Sequence, residues 1–386
     1  MDLRYTDDQH AYREAVREFS DEVLAPMART QYDFGRPLAR KEIQAMAAAL
    51  ERYELATVPP LTDAGGYDLI YLTMFIEEIS RIDLTFASLA NALFFQVWDM
   101  ANLLVTPRQQ ELYGHMFGRG EMVAIAMSEP EAASNPAELR TRAARLDDGW
   151  QLDGRKIWIS HAGIAAGILV AARKEAAGEE SGQISLFMVG AGTEGCECRP
   201  IETIGMDGVA LCEVTLTNCR VPLDADLTPG RGGLRAALRL VEQARLKIVF
   251  MAVGLCQAAL DLAVGYAKER RQSGRPIASF QLVQEMLAEM STLTECARLL
   301  GYQAASTMMA GKPARAEVSR AKAYATEAAT RVTSLGIQVH GATGLTRGYP
   351  AEKLFRDARM LTIPDGTTEI HKLVLGRELT GINALH

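Results

Sequence analysis

Three long apolar-periodic segments, 234–270, 279–310 and 315–339, follow the breaker run Pro229-Gly230-Arg231-Gly232-Gly233 and constrain the fold more than any other feature. Segments of that length joined by short connections bury their apolar faces against one another, which predicts a helical bundle. The same periodicity opens the chain. Thr6-Asp7-Asp8-Gln9 reads as a helix cap, followed by an amphipathic segment to about Leu24 that stops before Pro26. Apolar spacing continues through Ile43–Leu50, Leu69–Ile82 and Phe86–Leu104, with breaks at Pro59-Pro60 and Ala64-Gly65-Gly66. Thr106-Pro107 opens a further helix with proline in its first turn.

From about Glu121 the texture changes. Short runs, mostly rich in β-branched or aromatic residues, occur at Met122–Met127, Gly149–Leu152, Lys156–Ile159, Ile168–Ala172, Ile184–Val189 and Cys212–Leu216. Turns such as Asp147-Asp148-Gly149 and Asp153-Gly154 separate them, and Glu175–Gly182 reads as an exposed hairpin tip. This spacing predicts a small β-barrel or sandwich. A chain of 386 residues exceeds one ordinary core. The expectation is a mainly α protein with a central β-domain: an N-terminal helical domain over 1–120, the β-domain over 121–229, and a C-terminal four-helix bundle over 230–386.

Composition excludes some partners. The net charge is −7 and the lysines and arginines are spread along the chain, which argues against nucleic acid. The six cysteines show no framework spacing, and Cys196-Glu197-Cys198 lacks both a second pair and a histidine cluster. No metal site is expected, and the thiols read as reduced and mostly buried. The polar start Met1–Asp8 is unlike a signal peptide. By sequence, no apolar run approaches the roughly eighteen residues a spanning helix needs. These readings predict a cytoplasmic protein with no membrane insertion.

Chemistry concentrates near the C-terminus. Pro364-Asp365-Gly366 sets one carboxylate in a tight turn between two helix-like segments. Proline fixes φ on one side and glycine frees it on the other, so the carboxylate is presented at a defined angle. That suits a general base. It equally suits a solvated aspartate capping the helix from Thr367.

Several motifs stand in register: Ala126-Met127-Ser128-Glu129-Pro130, Lys156-Ile157-Trp158-Ile159-Ser160, Glu269 to Ile277, Gln338-Val339-His340-Gly341, Tyr349-Pro350, Arg356-Asp357 and Asp365-Gly366-Thr367. Through them the chain resembles the acyl-CoA dehydrogenase family over nearly its whole length. The resemblance implies FAD and the α,β-desaturation of an acyl-CoA or acyl-carrier thioester, with an electron-transfer flavoprotein as acceptor. It assigns Asp365, at a position usually glutamate, as the base. Its backbone N–H and a flavin hydroxyl would be the oxyanion donors. Met127, Ser128, Ser134, Trp158 and Ser160 become flavin contacts; Trp158 read by itself is equally a core residue. Thr367 and Glu369 become further cofactor contacts. Arg270, Gln338, Val339 and Gly341 would reach the cofactor of a neighbouring subunit, which implies a homo-oligomer, a dimer or tetramer. Arg245, Gly366 and Arg377 are assigned to the substrate.

The chain departs from the family pattern in three places. Glu131-Ala132-Ala133-Ser134-Asn135 replaces a glycine-rich turn, Ser273 replaces an aromatic, and aspartate is one methylene shorter than glutamate. Some relatives carry their base at the position of Ala244, and Glu242 lies three residues before Arg245. Phe94, Phe95 and Trp98 bring bulk toward the acyl end, or pack the core. Two other readings stay open: a flavin oxidase of the nitroalkane oxidase type, and a low-activity or non-catalytic subunit of a heteromeric complex.

Overall fold

The computed structural model describes residues 5–28, 38–55, 68–117, 120–175, 181–230 and 232–384. The breaks at Pro59-Pro60 and Ala64-Gly65-Gly66, residues 176–180 of the predicted hairpin tip, Arg231, Met1 to Arg4 and the Trp98 side chain fall outside that description.

The first helix, α1 (Asp7–Phe19), carries the capping box read from the sequence: the Thr6 hydroxyl accepts from the Gln9 amide at 3.2 Å, and the Gln9 side chain accepts from the Thr6 amide at 3.0 Å. It does not stop before Pro26. A π turn (Ser20–Leu24) follows, with the Ala25 amide bonded to the Ser20 carbonyl, and helix resumes over residues 25–28. A ladder already offset by one residue accommodates a residue with no N–H to donate. Then come α2 (Arg40–Arg52), α3 (Leu69–Ile82) and α4 (Leu84–Ala90). The continuous helix expected over Phe86–Leu104 is instead divided by a second π turn (Asn91–Gln96) from the short α5 (Val97–Ala101). Thr106 caps α6 (Pro107–Tyr113).

Seven strands form one curled mixed sheet. They are β1 (Val123–Ala126), β2 (Arg142–Arg145), β3 (Gly149–Ser160), β4 (Gly167–Glu175), β5 (Ile184–Gly190), β6 (Cys196–Pro200) and β7 (Leu211–Pro222). The spatial order is β1-β4-β2-β3-β7-β6, with β5 on the other side of β4. Asp153-Gly154 is not a turn between two strands, as its residues suggested, but a bulge within β3 where the pairing steps from Leu152↔Cys219 to Gly154↔Leu216. Gly154 has φ +156°, and a Cβ there would lie 2.7 Å from Thr141 Cα. Glycine is required by that close approach.

The C-terminal part contains α7 (Gly233–Glu269), a two-stranded hairpin of β8 (Arg271–Gln272) and β9 (Arg275–Pro276), α8 (Gln281–Met309), α9 (Arg315–His340), α10 (Pro350–Leu361) and α11 (Thr368–Thr380). Contrary to the sequence expectation, α7 is long and apolar enough to cross a membrane by length and composition. In this fold 61% of its apolar window is buried. It runs through the bundle against α3, α8 and α9, which buries every residue from Leu246 to Cys256. At the α3 crossing, a Cβ on Gly254 would lie 2.4 Å from the Glu77 carbonyl oxygen. The bundle is fastened to the sheet and to the first helices through α10. Asp357 accepts from the Met206 amide at 2.6 Å, and Lys353 bridges Asp357 (2.6 Å) and Asp83 (3.0 Å).

Candidate active site

The turn between α10 and α11 holds Asp365 at φ +53° and Gly366 at φ +101°. Positive φ in a residue other than glycine is uncommon and persists where surroundings enforce it. Two cations do so here. Arg245, from α7, donates through Nε to the Asp365 carbonyl at 2.9 Å, and Lys322, from α9, donates to the Gly366 carbonyl at 2.7 Å. His371, fully buried on α11, fills the space beneath: a Cβ on Gly366 would lie 3.3 Å from its Nε2. Thr367, not Asp365, caps α11, accepting from the Ile370 amide at 3.4 Å. The capping role that local sequence left open for Asp365 is therefore taken by its neighbour.

Burial pushes the Asp365 carboxyl above the ordinary carboxylate range; Arg245, Lys322 and Lys247 pull it back without cancelling the effect. A carboxylate so raised is a stronger base than a free one. Burial lowers Lys322 to about 8 against the pull of Asp365. His371 is driven down to about 3, first by burial and then by Lys322 and Arg245, while the backbone of Asp365 and Gly366 pulls weakly the other way, so it is neutral.

A second cluster sits on the sheet. The pairing of β3 with β7 slips between Lys156↔Val214 and Ile159↔Cys212. Within that bulge Trp158 adopts φ +62° and stays 54% exposed. The Ile157 amide donates to the Ser128 carbonyl at 3.0 Å, which holds Met127-Ser128 beside the bulge. Beneath, the buried Lys156 ammonium donates to the Met127 carbonyl (3.1 Å) and to Glu129 (2.7 Å). Ser160 is exposed two residues beyond Trp158. An indole thrown outward beside two hydroxyls is an apolar face with a polar edge, and it fits a planar ring ligand such as isoalloxazine. Ser134 is exposed in the adjoining turn, and no residue from Glu131 to Asn135 has positive φ, so the loss of glycines there strains nothing. Ser273 has φ +50° beside Gly274 in the exposed β8–β9 hairpin.

Not every sequence-predicted residue joins these clusters. Arg270 caps the far end of α7, 25 residues from Arg245, or about 37 Å at 1.5 Å per residue. Exposed Gln338 and Gly341 lie at that same end, where His340 stacks on Tyr266 (4.4 Å) and Tyr349 (5.2 Å). The Val339 side chain is in the bundle core, so only its backbone is available to a ligand. Arg377 pairs with Glu378 at 3.5 Å in the last turn of α11, well away from Asp365. Glu369, exposed, borders a cavity of about 240 Å³ whose lining includes Glu327, Arg359 and Thr368, while Thr367 precedes that lining as the cap of α11.

Sequence reasoning missed Lys322, His371, and a pair below the turn. Lys247 on α7 meets Asp99 on α5 at 3.2 Å, and the Gln243 amide, once turned so that its nitrogen rather than its oxygen faces the carboxylate, donates to both Asp99 oxygens at 2.8 and 2.9 Å. The Lys247 ammonium lies 5.8 Å from the centre of the buried Phe95 ring. Lone charges on otherwise apolar helix faces were the available signal.

Family models cover the chain in three stretches: acyl-CoA dehydrogenase N-terminal domain over residues 6–121, middle domain over 124–219 and C-terminal domain over 231–380. The short/branched chain specific acyl-CoA dehydrogenase of Bos taurus mitochondria is 32% identical, over 95% of this chain and 84% of that protein. The 3-sulfinopropanoyl-CoA desulfinase of Paraburkholderia xenovorans is 32% identical, over 97% of each. Among solved structures, glutaryl-CoA dehydrogenase from Mycobacterium smegmatis superposes with a TM-score of 0.88 at 27% identity, over 99% of this chain and 97% of that one.

Proposed function

The chain belongs to the acyl-CoA dehydrogenase family of FAD-dependent oxidoreductases acting on CH–CH bonds, and on that premise we propose that it desaturates a short, branched or unusual acyl thioester, with Asp365 as the α-proton base. The observation that carries the assignment is the Asp365 turn itself, a carboxyl raised by burial on a backbone clamped by Arg245 and Lys322.

The residues act as follows. Asp365 takes the proton from the α-carbon. Arg245 and Lys322 fix the two peptide planes flanking Gly366, so the shorter aspartate is held where a free loop would drift. Partial burial limits water around the carboxylate, which keeps it basic. Trp158, Ser128 and Ser160 would hold FAD, which would supply the hydride acceptor for the β-carbon. Thr367 and Glu369 border the same turn and are assigned to the cofactor. Arg270, Gln338 and the Gly341 backbone lie too far from their own Asp365 to share its cofactor, so this reading gives them to a second copy of the chain in a homodimer or tetramer. An electron-transfer flavoprotein is the proposed acceptor. The buried Phe95 and part-buried Phe94 shorten the acyl end, and the relative named as short/branched chain specific supports the same size class.

The test is an anaerobic panel of acyl-CoAs with the purified holoenzyme, followed by loss of visible flavin absorbance. Short and branched acyl groups should give the fastest loss. A fully flavinated protein that no saturated acyl-CoA bleaches refutes the desaturase reading.

A further inference from the structure

The Lys247–Asp99 pair makes no hydrogen bond to the Asp365 turn among the described residues, yet it adjoins the site. Lys247 follows Arg245 by two residues on α7, and the Asp365 charge reaches its ammonium. Phe95 lies beneath it. The pair is deeply placed, with side chains only 4% and 11% exposed. Burying two charges costs desolvation that their attraction rarely recovers, and apolar residues of the same size usually serve a core as well. Its hydrogen bonding is also incomplete. An ammonium has three donors, and among the described residues Asp99 is the one hydrogen-bond partner of Lys247. Asp99 accepts from Lys247 and Gln243, which leaves lone pairs unused. The π turn carrying Phe95 begins at Asn91, whose Oδ1 is buried and has no partner among the described residues. Such turns recur at functional sites, because the extra residue re-aims the side chains around it.

We propose that Lys247 and Asp99 form the polar end of the acyl pocket and select an acyl group bearing a hydroxyl beyond its β-carbon. The proposal rests on the desaturase reading and names its substrate class. A hydroxyl accepts from Lys247 and donates to Asp99, completing both groups at once. A plain alkyl chain leaves their remaining donors and lone pairs unmatched. A carboxylate meets an ammonium whose charge Asp99 already balances, and it stands against two carboxylates.

The test compares kcat/KM and anaerobic flavin bleaching for 4-hydroxybutyryl-CoA and 5-hydroxypentanoyl-CoA against butyryl-CoA, pentanoyl-CoA and succinyl-CoA. The hydroxyacyl thioesters should lead by about tenfold or more, the usual consequence of leaving built-in polar partners unmatched. The double variant Lys247→Met/Asp99→Leu should reverse the preference toward butyryl-CoA by a similar factor. Butyryl-CoA that bleaches the wild-type flavin as fast as its hydroxylated counterpart overturns the selection while leaving desaturation intact. Flavin that none of the thioesters bleaches overturns desaturation itself. The wild-type ratios decide the matter even when the double variant does not fold.

Discussion

At the scale of single residues, the pH behaviour of Asp365 follows from its surroundings. Its carboxyl is raised chiefly by burial, so the proton comes off at a pH above the value of about 3.9 for a free aspartate. The proposed base must be ionised, so kcat/KM should rise with pH through that raised pKa and then level. The stability sign runs the other way. The folded state holds this proton more tightly than the unfolded one, so stability falls as pH rises from the unfolded to the folded pKa. Asp365→Asn should therefore be at least as stable as wild type at pH 7, as thermal unfolding across pH will show. Gly366→Ala places a Cβ at φ +101° and 3.3 Å from His371. A shift of about 1 Å in the base costs on the order of a hundredfold, so kcat should drop by about that factor with bound flavin retained.

At the scale of elements, two substitutions probe the packing that holds the clusters in place. Gly254→Ala drives a methyl into the Glu77 carbonyl where α7 crosses α3. It should cost about 1–3 kcal/mol in denaturant unfolding. Lys156→Met leaves Glu129 buried under the Trp158 bulge without its cation, and should cost about 3–5 kcal/mol. The elements legible from sequence were those with local causes: the Thr6 and Thr106 caps, α3 with its end residues, and the three long helices. Asp153-Gly154 misled because Asp-Gly is a turn signal, whereas the bulge there is set by the approach of Thr141 from another strand. The strands β2 and β6 were missed because they are short and polar. The site divides in the same way. Pro364-Asp365-Gly366 announces itself locally, but its clamp from Arg245 spans 120 residues and the Lys247–Asp99 pair spans 148, distances that no periodicity reports.

At the scale of the molecule, the distance of about 37 Å along α7 from Arg245 to Arg270 separates two sets of cofactor candidates. A cofactor shared between copies predicts complementation. Asp365→Asn and Arg270→Glu chains, each inactive alone, should regain part of the wild-type rate when co-expressed, because one mixed site combines an intact Asp365 with an intact Arg270. Co-expressed chains that stay inactive contradict sharing. The central claim is tested most directly by anaerobic titration of wild type and Asp365→Asn with the best acyl-CoA of the panel. The wild type should lose its visible flavin absorbance, while the variant keeps its colour and still binds the thioester. A variant that bleaches at the wild-type rate contradicts the account.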